Sequence, residues 1–151
     1  MMSPSPEPSL SVIVVTRDEY RTLRPIVGAL RRQTVVGQIE LLVIAPDEAA
    51  GAIPASDASP FHSTRVVGVG PVISRGKAAA HGVLAARAPL VALSENHCFP
   101  DPEWAERTLE SHREPWAGVG PARAGRGGGA TNGASPQKNV SARTPRALRL
   151  Q

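Results

Sequence analysis

LSVIVVT, residues 10–16, is a run of apolar and β-branched side chains with no polar alternation inside it. A strand with one wet face alternates, whereas a strand covered on both faces does not, and such strands belong to parallel sheets flanked by helices. IELLVIA at 39–45 repeats the signature, and TRVVGV at 64–69 and LVAL at 90–93 are shorter versions of it. Between the strands the period changes. From Tyr20 to Gln33 the apolar positions Tyr20, Leu23, Val27 and Leu30 share one helical face, with Arg21, Arg24, Arg31 and Arg32 mostly opposite. Pro25 fits such a helix if Thr22 is its N-cap and the proline sits in the first turn, or if the helix kinks there.

SRGKAAAHGVLAARA at 74–88 predicts a second helix with Ser74 as N-cap, Ala79, Val83 and Ala86 on its inner face, and Pro89 as its stop. Residues 46–63 read as a loop with one short helical turn. DPEWAERTLESHREP at 101–115 predicts a third, amphipathic helix capped by Asp101, with Pro102 in its first turn and Trp104, Thr108 and Leu109 inward. The order β-α-β-loop-β-α-β implies an α/β fold, an open and mostly parallel sheet with flanking helices.

The 151 residues suffice for one domain, and with aromatics at 3% its core is built from Val, Leu, Ile and Ala. The formal charge of +4 is unevenly placed: residues 1–122 hold 11 of the Lys and Arg and all 13 acids, whereas residues 123–151 hold 6 basic residues and no acid. The chain therefore divides into a flexible lead-in over 1–9, a folded domain over 10–121 and a disordered, basic Gly/Arg/Ser/Pro-rich tail over 122–151. Nucleic-acid binding through that tail is an alternative, but the tail has no aromatic side chain for base stacking. The single cysteine, Cys98, excludes an intrachain disulfide. No run approaches the roughly 18 apolar residues of a membrane span, and MMSPSPEPSL is not a signal peptide, so a cytoplasmic protein is expected.

Ligands of open α/β sheets bind beyond the carboxyl ends of the strands. Three of those ends carry polar groups: Thr16-Arg17-Asp18, Pro46-Asp47-Glu48 and Glu95-Asn96-His97. Singly, each is the ordinary way a strand stops. Together they outline a site. If 95–97 is extended, Glu95 and His97 point the same way while Asn96 turns away. A carboxylate and an imidazole can then share Mn²⁺ or a similar divalent ion, whose remaining positions take water and phosphate oxygens and whose charge neutralises a diphosphate leaving group. Arg75 and Lys77 open the Ala-rich helix, where backbone N–H groups and the helix dipole also favour an anion, although a pair of solvated first-turn cations is the plain alternative. Gly70 to Lys77 is not a P-loop, because five residues separate Gly70 from Gly76 and Ala78 stands where a metal-binding hydroxyl belongs. His62, His81 and His112 lack ligand spacing, and Cys98 reads as a small, semi-buried filler.

The ordered series SVIVVTRDEY, LRRQT, IELLVIAPDE, SRGKAAAHGVLAARAPLVAL and ENHCFPDPEW resembles the nucleotide-binding half of a family 2 glycosyltransferase with the GT-A fold, over roughly residues 10–121. The resemblance implies transfer of a sugar from a nucleotide-diphosphate donor, such as a UDP-sugar, to an acceptor hydroxyl, with a divalent ion (Mn²⁺ or Mg²⁺) held at an Asp-x-Asp-type motif. It places Thr16 and Arg17 by the donor nucleoside, Arg75 and Lys77 near its uracil or phosphates, and Glu95 and His97 at the metal motif.

The sequence departs from the family pattern in two places. Where the second strand of the family ends in an acidic pair that holds the nucleoside, Ala45-Pro46 stand here and Asp47 comes one place late. The acceptor half, with the catalytic base that an inverting transfer needs, should follow Gly118 to Pro121, yet the sequence turns there into the basic tail. The expectation is a truncated or frameshifted chain, incomplete as an enzyme and with no assignable catalytic base. A nucleotide- or nucleotide-sugar-binding fragment without turnover is the alternative, and uncovered faces are expected to promote self-association.

Overall fold

A computed structural model describes residues 6–113. The predicted tail over 122–151, the residues 114–121 of the predicted domain and most of the lead-in lie outside the described residues. The elements are β1 (Leu10–Val15), α1 (Arg24–Arg31), β2 (Ile39–Ala45), α2 (Ala55–Ala58), β3 (Ser63–Gly68), α3 (Arg75–Ala85), β4 (Leu90–Ser94) and α4 (Trp104–Ser111). The four strands form one sheet in the order β3-β2-β1-β4, every neighbouring pair parallel. The predicted α/β sheet is thus present, and β1 and β2 are as buried as their unbroken apolar runs require.

Alternate strand residues feed two cores. Leu10, Val12 and Val14 with Leu41, Val43 and Ala92 pack beneath Leu23, Ile26, Val27 and Leu30 and against Trp104, Ala105 and Leu109. Ile13, Leu42, Ile44 and Val91 face α3 through Ala78 and, at the margin, Val83 and Ala86. The inner face of α3 sits one residue from the expected one: Ala78 and Gly82 are its buried residues, not Ala79. The reason is distance. A Cβ added at Gly82 would lie 2.8 Å from Ile13 Cγ2, so the helix lies close on the sheet and its smallest residues make the contact.

The helix expected from Tyr20 is split, with a 3-10 turn at Tyr20–Leu23 followed by α1, whose first turn accommodates Pro25. Thr22 is not the N-cap; Leu23 is, and the Thr22 hydroxyl donates instead to Glu19 O at 2.9 Å. Tyr20 Oη donates to Asp57 Oδ2 at 2.9 Å and ties this turn to α2. Burial first, then that carboxylate, push the Tyr20 phenol far above its ordinary range. The helix expected over 101–115 is shorter, and Asp101 does not cap it. Instead the buried Gln33 side chain spans two helices: Ala105 N donates to Gln33 Oε1 at 2.9 Å, and Gln33 Nε2 donates to Asp101 O at 2.7 Å. An amide 72 residues away does the work of a local cap.

One acid is fully buried within the apolar run of β2. Glu40 accepts from Ser11 Oγ at 2.5 Å, Arg87 N at 2.9 Å, Arg65 Nη2 at 2.6 Å and Arg65 Nε at 3.0 Å, and Arg65 donates further to Ala85 O. Burial opposes the charge on Glu40, but these donors and the guanidinium outweigh it and hold its carboxyl below the usual value. The network crosses β1, β2 and β3 near the amino-terminal end of the sheet and fastens the C-terminus of α3 there.

Candidate functional site

The chain runs outward from β1 to β2 to β3, then returns through α3 to place β4 on the far side of β1. That reversal makes β1 and β4 the switch point of the sheet, and the carboxyl ends of such strands are where open α/β sheets take ligands. Thr16 and Arg17 follow β1, and Glu95 to Cys98 follow β4. Because α3 runs back over β1 and β2, its N-terminus is also on the carboxyl side, preceded by Gly70 in a left-handed conformation (φ 75°) that turns the chain.

Glu95 and His97 come together as the sequence suggests, but by a different route. β4 ends at Ser94, and residues 95–98 form a tight turn closed by Cys98 N donating to Glu95 O at 3.0 Å. Strand geometry therefore does not deliver the two ligands. The turn does, leaving Glu95 Oε2 2.9 Å from His97 Nε2 with both side chains exposed. Asn96 does not turn away, since its Oδ1 lies 3.3 Å from His97 Nδ1. Cys98 is no semi-buried filler: it is exposed, and its sulfur joins the Glu95 and His97 ligand atoms in a cluster spanning no more than 4.8 Å. Phe99, 61% exposed, follows directly.

The remaining expected residues are dispersed. Thr16 is buried, and its hydroxyl is occupied by Glu19 O at 3.2 Å, Thr22 Oγ1 at 2.9 Å and the N–H of Asp18 at 3.2 Å, so it shapes the turn after β1. Arg17 is exposed beside it. Asp47 Oδ1 accepts from Ala50 N at 2.7 Å and so braces its own loop. Ser74 caps α3 as expected, accepting from Lys77 N at 3.3 Å, and Arg75 and Lys77 are exposed in its first turn. Lys77 and His81 border a shallow cleft of about 250 Å³ with Val69, Val72 and Ala78. Among the described residues, no hydrogen bond or ion pair links Arg17, Asp47, Arg75 or Lys77 to the Glu95–His97 pair.

A larger cleft, about 330 Å³, lies where β1 and β4 begin, between Ser9, Leu90, Leu109 and His112. It is at the wrong end of a parallel sheet for the ligand site, so strand direction is the better guide here than cavity size. His112, given no role from sequence, is buried there with Nδ1 2.8 Å from Thr108 O and no partner for Nε2 among the described residues.

No protein-family model matches the sequence, and no curated protein is a detectable relative. Solved structures do match. Residues 1–349 of S. aureus TarS align at a TM-score of 0.54 and 15% identity, and the same fragment in complex with UDP at 0.56 and 15%, each over 70% of this chain and 33% of the other. A further S. aureus TarS structure aligns at 0.53 and 14%, over 20% of its length. The chain thus spans about a third or less of the length of these structures. At such identity the likeness concerns the fold alone, an α/β arrangement with all four strands of its sheet parallel.

Proposed function

We propose that this chain is the donor-nucleotide half of a glycosyltransferase-like domain of the family 2, GT-A kind, binding a nucleotide sugar such as a UDP-sugar beyond the carboxyl ends of β1 and β4. One observation carries the reading: a carboxylate and an imidazole meet at 2.9 Å at the mouth of the strand-order reversal. The UDP complex of a protein with a similar fold supports it.

The donor set fits a divalent transition ion, since one oxygen and one nitrogen suit Mn²⁺ better than Mg²⁺, which prefers oxygen alone. Glu95 and His97 would hold the ion, which when bound supplies positive charge against a diphosphate leaving group. The chain's own cations act separately. Arg75 and Lys77 present charge at the N-terminus of an eleven-residue helix, where free N–H groups add to it, and Arg17 does so after β1. Thr16 and Asp47 contribute by shaping the loops on either side. Transfer itself needs an acceptor and a positioned base, neither of which is assigned among the described residues, so binding without turnover is the second reading.

Calorimetry with UDP in the presence and absence of Mn²⁺, on wild type, Glu95→Ala and His97→Ala, tests the proposal. Mn²⁺-dependent UDP binding that falls at least about tenfold in either variant is expected. Equal affinity in all three removes the motif from the site. A UDP-sugar hydrolysis assay on the same samples separates turnover from binding. Ile73, Leu84, Leu93 and Phe99 are large, exposed apolar side chains, and sedimentation would report any self-association through them.

A further inference from the structure

We propose that Cys98 is a third ligand at the Glu95–His97 site and makes it selective for a borderline, thiol-binding ion, zinc or cobalt(II), over manganese or magnesium. The inference rests on the reading of Glu95 and His97 as an ion-holding pair and extends it to the identity of the ion.

Three observations carry it. The turn closed by Cys98 N and Glu95 O sets the first and fourth residues side by side, so the sulfur reaches the pair because of the backbone. The carboxylate, imidazole and sulfur atoms lie within 4.8 Å of one another, and ligand atoms around one four-coordinate zinc stand about 3–4 Å apart, a difference that rotation of exposed side chains removes. The third observation is His97 itself. Both its ring nitrogens face an oxygen, Asn96 Oδ1 at 3.3 Å and Glu95 Oε2 at 2.9 Å. With the proton on Nδ1, donated to Asn96, the Nε2 lone pair is free for a cation beside Glu95, the tautomer a metal-bound imidazole needs; with the proton on Nε2 the ring donates to Glu95 and that proton leaves when an ion binds.

Donor chemistry then chooses the ion. Manganese and magnesium favour oxygen, whereas a sulfur, nitrogen and oxygen set favours zinc and cobalt(II). Binding breaks the S–H bond of Cys98, the sulfur keeps the electron pair as thiolate, and the proton leaves to solvent. Three protein ligands leave a fourth position for water or a phosphate oxygen, as in open zinc sites.

The test titrates the full chain, nucleotide-free and under reducing conditions, with CoCl₂, ZnCl₂ and MnCl₂. Wild type is expected to show a near-ultraviolet thiolate-to-cobalt absorption band that ZnCl₂ abolishes by displacement. Cys98→Ser is expected to lose the band and to bind zinc at least about tenfold more weakly while its manganese affinity changes less than about twofold. Absence of the band in wild type, or equal zinc affinity in Cys98→Ser, overturns the assignment. Manganese-dependent UDP binding without a cobalt band would remove the third ligand and leave the nucleotide reading intact. A cobalt band without UDP binding supports the three-ligand site and removes the nucleotide reading.

Discussion

Replacing Glu40 tests whether the buried carboxylate stabilises the domain as a charge. Glu40 is fully buried and accepts four hydrogen bonds, two of them from Arg65. Breaking a buried pair by removing one partner costs about 3–5 kcal/mol. The Arg65 side chain is 29% exposed, so water takes up part of its orphaned charge and the lower end applies, about 3 kcal/mol for Glu40→Ala. The Ser11 hydroxyl and Arg87 N–H left without an acceptor add about 1 kcal/mol. Glu40→Gln keeps the shape and one acceptor and should lose about 1–2 kcal/mol. Against a total stability of about 5–15 kcal/mol, the alanine variant approaches unfolding while the glutamine variant remains measurable.

Urea unfolding followed by circular dichroism is the assay, and Glu40→Gln should move the midpoint down by about 1 M with an unchanged slope. The pH dependence gives a second arm. Because folding lowers the Glu40 carboxyl below its ordinary value of 4.5, its contribution is complete above that value and disappears as pH falls through the lower native value. Glutamine does not titrate there. The stability gap between wild type and Glu40→Gln is therefore full at neutral pH and narrows as pH falls below 4.5 toward the lower native value. A gap that is absent at neutral pH, or that persists undiminished to about pH 3, refutes the claim that the ionised carboxylate stabilises the fold.

Gln33→Leu strands the buried Ala105 N–H, while the Asp101 carbonyl keeps the Trp104 N–H, and should cost about 1–3 kcal/mol, with amide exchange accelerating in α4 and the loop before it but not in α3. Gly82→Ala sets a modest gain in helix propensity, about 1 kcal/mol, against a methyl 2.8 Å from a buried Ile13. Overpacking of about 1–3 kcal/mol should win, lowering the melting temperature. Gly28→Ala meets only the end of the Arg32 side chain at 3.7 Å and should raise the melting temperature; a rise in both variants would show that α3 does not pack as closely as described.

The strands were legible because burial on both faces writes itself into consecutive residues. β1 and β2 match their apolar runs within a residue, and β3 and β4 begin or end one residue from expectation. Glu40 was hidden by the same signal, because one acid in IELLVIA looks like a flaw until register brings Ser11 beside it and Arg65 within reach. Register and long-range partners are not local properties. The same holds for α4, whose clamp at Gln33 lies far away in sequence, and for α3, where close approach to the sheet selected the smallest side chains over the larger apolar stripe.

The site residues obey a related logic. An extended reading of Glu95-Asn96-His97 gives a two-ligand pair and dismisses the fourth residue, because alternation sends Asn96 and Cys98 to the opposite side. A turn has no such alternation, and its closing hydrogen bond returns Cys98 to Glu95. The segment is held at both ends: β4 pairs with β1 up to Val14 and Ser94, and Gln33 grips Asp101 and Ala105. Between those anchors lie only Glu95 to Pro100, and within them a turn, not continued strand, brings the fourth residue to the ligand pair.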